Sequence, residues 1–180
     1  EFGKNLSFNM KNWQDKKTQE ISRLEKIYEN LLSKSGVFTI KGRGKILDEN
    51  TVLVNEEKLY TSRIMIATGG IPALRDIDGI EHCITSNQIL DLVEIPKSVG
   101  ILGSGYIALE FASMFKKFGS EVAIFFRSEL PLSGFDIDIR KRAAQNLTEM
   151  GIDLYPKTKF KRIEKSTNGF KLYVLDQFFL

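Results

Sequence analysis

Between Ser98 and Phe118 an apolar strand, Ser98-Val99-Gly100-Ile101-Leu102, runs into Gly103-Ser104-Gly105-Tyr106-Ile107-Ala108 and on into a helix through Glu110, Phe111, Met114 and Phe118. A G-x-G-x-x-A turn set between a strand and a helix admits few folds. Gly103 permits the tight turn, Gly105 lets backbone approach a pyrophosphate, and the small Ala108 lets the helix sit against the strand. The helix start then presents free N–H groups and the positive end of its dipole to the phosphates. After Gly119 a second strand follows, Glu121 to Phe126. The arrangement points to a dinucleotide site. At the end of that second strand an NAD site usually has Asp or Glu to accept from the ribose 2′-hydroxyl; here Phe126 is followed by Arg127, a cation suited to a 2′-phosphate. NADP is expected over NAD, the plainer alternative being a surface arginine.

One cysteine, Cys83, and one histidine, His82, among 180 residues leave no internal disulfide, no Cys/His zinc cage and no intrachain dithiol centre. No metal site is expected. The net charge of +3 arises from 26 basic and 23 acidic residues that are scattered among one another, so nucleic acid is not an expected partner. No apolar run nears the roughly 20 residues of a membrane span, and Glu1 to Lys17 is polar and charged, unlike a secretory signal. A cytoplasmic setting without membrane contact is expected. Glu1 in place of Met and the apolar Gln177-Phe178-Phe179-Leu180 read as cut ends, a tag scar being the alternative for the first. At 42% hydrophobic residues the chain has the material for a core.

Toward the amino end, Ile21, Leu24, Ile27, Tyr28, Leu31 and Leu32 fall at spacings of three and four. They predict an amphipathic helix from about Trp13 to Ser33, stopped before Gly36. Val37 to Lys41, Thr51 to Asn55 and Lys58 to Tyr60 predict an antiparallel meander around polar turns. Arg63 to Gly70 reads as a buried strand running into the turn Ala67-Thr68-Gly69, whose backbone either approaches a ligand or simply closes a tight turn. Ser86 is the expected cap of a short helix through Ile89, Leu90 and Leu92. Ile95-Pro96-Lys97 marks a boundary that divides the chain into 1–95 and 96–180. Beyond it, Asp138 to Met150 predicts a helix ended by Gly151, and Asn168-Gly169 is a hairpin signal within Ile152 to Leu175.

In this order the motifs resemble the glutathione-reductase branch of the FAD-dependent pyridine nucleotide-disulfide oxidoreductases, over nearly the whole chain. The likeness is carried by Trp13 with Glu20-Ile21-Ser22-Arg23-Leu24, by Ile66-Ala67-Thr68-Gly69-Gly70-Ile71-Pro72, and by Ile77-Asp78-Gly79. It continues through Ile95-Pro96-Lys97, the glycine turn through Phe111-Ala112, and Phe126-Arg127 with Gly134-Phe135-Asp136. The resemblance implies an α/β fold: a Rossmann-like NAD(P)-binding domain with a parallel sheet in 96–180, truncated at its end. Before it, residues 1–95 would be a partial FAD-binding domain, helix plus meander, and a connector. It implies hydride transfer from NADPH to FAD and on to a cysteine pair and glutathione disulfide, in a homodimeric parent enzyme of redox homeostasis. It assigns FAD contact to Ala67, Thr68 and Gly69, and NADP contact to Gly103, Ser104, Gly105, Tyr106, Ile107, Ala108, Glu110 and Arg127. Tyr106 resembles the aromatic gate over the flavin, and Glu110 the acid near the nicotinamide.

The departures carry equal information. The second of the family's two 2′-phosphate arginines would fall at Ser133, which implies a weaker NADPH preference. The first FAD βαβ unit, the C-x-x-x-x-C redox pair and the dimerisation domain with its catalytic His have no counterpart, and His82-Cys83 does not match the redox pair. The expectation is a segment of a flavoenzyme, inactive by itself and with no catalytic residue of its own. The alternatives are a stand-alone NADPH-binding module and an inactive truncated product. Trypanothione and mycothiol reductases are relatives the sequence does not separate. Residues that would pack on the absent βαβ unit are expected to leave apolar surface exposed.

Overall fold

The computed structural model describes residues 8–167 and 169–175, which fall into two compact units. One holds the described residues up to Gln14 together with those from Pro72 onward, and the other is Asp15–Ile71. Asn168 and the tail at 177–180 lie outside the described residues. Among the described residues no helix is long and apolar enough to cross a membrane.

Helix α1, Met10–Lys34, starts in the first unit and continues into the second. Asn9 accepts from the Asn12 N–H at 2.9 Å at its start, and the Val37 N–H closes its end on the Leu32 carbonyl at 2.9 Å, across Gly36. The apolar stripe at three- and four-residue spacing is present, yet Ile21, Leu24, Ile27, Tyr28, Leu31 and Leu32 are all exposed. The meander follows as β1 Lys45–Asp48, β2 Thr51–Val54 and β3 Glu57–Tyr60, antiparallel in that order.

Two sequence expectations are corrected in this unit. The first strand is β1 and not Val37 to Lys41, because the turn into β2 is tight. Asp48 is paired with Thr51, and its carboxylate accepts from the Asn50 N–H at 2.9 Å, so the residues just before the turn take the partner's place. Arg63 to Ala67 forms no strand, and Met65 and Ile66 are 89% and 70% exposed. A strand needs a neighbouring ladder for its N–H and C=O groups, and no described strand offers one.

The other unit is built on a parallel sheet, order β4-β5-β6, from Ser98–Leu102, Glu121–Phe125 and Asp153–Tyr155. Helix α3, Tyr106–Lys117, connects the first pair, and α4, Ile137–Glu149, the second. (The short α2, Ser86–Ile89, precedes them.) Ala112, Phe115, Val122, Ile124, Phe126, Leu147 and Ile152 form the core, with Ala112 and Ile124 at 0% exposure. Ala112, one turn beyond Ala108, is thus the fully buried small residue of α3; Ala108 is half-buried.

The connector is fastened to this unit. Gln14 donates to the Leu90 and Leu92 carbonyls at 2.9 and 2.6 Å, and Ser120 Oγ donates to the Pro96 carbonyl at 2.6 Å. Thr85 rather than Ser86 caps α2, since a capping box needs its glutamine three residues on and Gln88 fills that place. The hairpin β7 Lys159–Ser166 and β8 Gly169–Leu175 completes the unit. The Ile163 N–H donates to the Asp78 carbonyl at 2.8 Å. Gly79 lies so close to Ile163 there that any Cβ would overlap its carbonyl oxygen.

Candidate functional site

Strands β4 and β5 end side by side, with Leu102 opposite Phe125. In an open parallel sheet, ligands bind beyond such carboxyl ends. The Gly103 N–H donates to the Phe125 carbonyl at 2.9 Å, and its φ of +121° turns the chain off the sheet in a conformation side chains resist. Gly105 is the N-cap of α3 and supplies no side-chain cap, so the first N–H groups of the helix keep their capacity to donate. A Cβ on Gly103 or Gly105 would meet nothing within 4 Å, so the space over the turn is open to a ligand. Open space, close backbone and an uncapped helix start fit a diphosphate. Ser104 and Ala108 are half-buried, whereas Gly105, Tyr106, Ile107 and Glu110 are exposed, Tyr106 to 60%.

Arg127 lies two residues beyond β5 and is exposed. The loop it opens is fixed to the glycine turn by the Leu132 N–H, which donates to the Ser104 carbonyl at 2.8 Å. Arg140, on α4, donates to the Pro131 and Leu130 carbonyls at 2.8 Å each, and Ser128 Oγ donates to Leu130 at 2.7 Å. Pro131 and Leu132 are buried, and Ser133 is exposed. The turn after β6 is hydrogen-bonded to the same loop: the Phe126 N–H donates to Tyr155, Thr158 N–H to Phe126, and Lys157 N–H to Ser128, at 3.0, 2.9 and 3.2 Å. Lys157 Nζ lies 3.4 Å from a Glu129 carboxylate oxygen.

The structure thus brings together Gly103 to Ala108 and Arg127 at one sheet end. It adds Ser104 as a carbonyl acceptor and Arg140, Glu129 and Lys157 as residues the sequence did not single out. Only the pairing of β5 with β6 reveals that residue 157 faces this loop.

Ala67, Thr68 and Gly69 belong to the 15–71 unit, in an exposed stretch without helix or strand. Gly69 has φ +69° with open space around it. This is an exposed backbone turn, and no step is assigned to the flavin there. Cys83 is half-buried; burial, with a smaller contribution from the Glu81 charge, pushes its thiol up from the ordinary range, away from the reactive thiolate.

A family model described as pyridine nucleotide-disulphide oxidoreductase matches residues 2–177. Glutathione reductase of Nostoc sp. is 40% identical over 154 residues, covering 86% of this chain and 34% of the relative. Mercuric reductase of Lysinibacillus sphaericus is 38% identical over 149 residues, covering 82% and 27%. Among solved structures, the copper(II) complex of the HOCl-induced flavoprotein disulfide reductase RclA from Escherichia coli superposes with a TM-score of 0.81 at 30% identity, covering 89% of this chain and 38% of that one. The chain spans about a third of the length of the relatives it matches.

Proposed function

The chain belongs to the flavin-dependent pyridine nucleotide-disulphide oxidoreductase family, and from that premise we propose that it is the NADPH-binding part of a glutathione-reductase-like enzyme. In this reading residues 96–180 hold the nucleotide and 1–95 belong to the FAD-binding half. The observation that carries it is the joint placement of the Gly103–Gly105 turn and Arg127 at adjacent strand ends, fastened by the Leu132–Ser104 hydrogen bond. Bound NADPH would supply hydride for the family's flavin. The chain's own residues bind and orient: the turn and the first N–H groups of α3 take the diphosphate, Arg127 takes the 2′-phosphate, and exposed Tyr106 and Glu110 lie on the nicotinamide side.

Glutathione disulfide as the parent's substrate rests on likeness to the Nostoc enzyme, and a dimeric parent on the family resemblance; the likeness to mercuric reductase makes a metal-ion substrate the competing choice. With one cysteine the chain alone is inactive in dithiol chemistry. Calorimetric titration with NADPH and then NADH tests the proposal, with a visible spectrum recorded beforehand for flavin. Tighter binding of NADPH is expected, and equal affinity for the two nucleotides defeats the NADP assignment.

A second reading, a nucleotide-binding module in its own right, is favoured by the core that the parallel-sheet unit possesses by itself. Limited proteolysis that leaves a protected block from about Ile95 to Leu175 supports it.

A further inference from the structure

Resting on the NADPH reading above, we propose that Lys157 is a specificity-determining residue: it supplies the second cation for the 2′-phosphate at a mouth where Ser133 offers none. Residue 157 is bracketed against Arg127 by backbone, because Lys157 donates to the carbonyl of Ser128 and Thr158 to that of Phe126, the residues either side of Arg127. Lys157 has φ +55°, uncommon for a side-chain residue, and those bonds hold it there. Its ammonium pairs with Glu129 at 3.4 Å while the two side chains stay 70% and 77% exposed. An ion pair that wet is weak and easily exchanged.

The charges at the mouth decide the rest. Arg127 and Glu129 together sum to zero, and Lys157 makes the sum positive. Arg140 is occupied by the Leu130 and Pro131 carbonyls. A 2′-phosphate, with up to two charges and three acceptor oxygens, competes for Lys157 better than one carboxylate does. NADH brings no 2′-phosphate and leaves the Lys157–Glu129 pair intact. The pair therefore discriminates: Glu129 competes with the phosphate for Lys157 and opposes any unneutralised anion.

The test is calorimetry on the whole chain with NADPH, NADH and 2′,5′-ADP, in wild type, K157M, K157R and E129Q, each checked by thermal unfolding. K157M is expected to weaken NADPH and 2′,5′-ADP about fivefold while leaving NADH within about twofold, and K157R to restore most of the loss. E129Q, which leaves the turn intact, is expected to tighten NADPH. If wild type prefers NADPH and K157M leaves that ratio unchanged, Lys157 has no such part and the NADPH reading stands. Equal weakening of both nucleotides, or no tightening in E129Q, also overturns the proposal. A wild-type chain that binds both equally removes the NADPH reading and this inference with it.

Discussion

Gly103 and Gly105 sit two residues apart and play different parts. At Gly103 the backbone itself forbids a side chain, with φ +121°, whereas Gly105 has an ordinary φ of −74°. Gly103→Ala is therefore expected to cost about 1–3 kcal/mol of stability, read as a lower unfolding temperature with or without nucleotide. Gly105→Val is expected to leave the unfolding temperature nearly unchanged and to abolish nucleotide binding, because its side chain fills the open space the diphosphate needs. A Gly105→Val chain that still binds NADPH sinks the diphosphate assignment. At this scale the motif was legible because each glycine has a local reason to be there. Lys157 and Arg140 were not legible, because their importance comes from which strand lies beside which, and a lone charge in sequence carries no trace of that.

Among the elements, α3 and β5 hold the parallel-sheet unit together through Phe115 and Ile124, at 1% and 0% exposure. Phe115→Ala is expected to destabilise this unit by about 3–5 kcal/mol in denaturant titration, with the loss of cooperative melting followed by parallel-sheet circular dichroism. A loss below about 1 kcal/mol contradicts the packing described. Sequence periodicity placed α1, α3, α4, β2, β3, β4 and β5 to within a few residues, since amphipathic spacing and glycine ends are local signals. It misplaced β1 because strand identity depends on the turn that brings a partner alongside. It made a strand of Arg63 to Ala67 because apolar content signals burial without naming the neighbour that must provide it. Gly79 was quoted only as part of a motif; its contact with Ile163, more than eighty residues away, explains why glycine stands there.

For the molecule as a whole, apolar surface is the dominant unresolved demand. The stripe of α1 from Ile21 to Leu32 and the stretch with Met65, Ile66 and Ile71 are exposed together on the 15–71 unit. Exposed apolar surface of this kind favours association. Sedimentation of the whole chain is expected to show mass rising with concentration, with strong binding of a hydrophobic dye. The triple variant Ile21→Glu, Leu24→Glu, Tyr28→Glu is expected to shift it toward monomer, and a wild type that stays monomeric and dye-free at every concentration refutes the expectation.

The hydrogen bond from Leu132 to Ser104 ties the loop after Arg127 to the glycine turn, so in the proposed reading the ribose end and the diphosphate of a nucleotide would be gripped by connected backbone. On that reading, discrimination between the two pyridine nucleotides is expected in how slowly the preferred one leaves rather than in how fast it arrives.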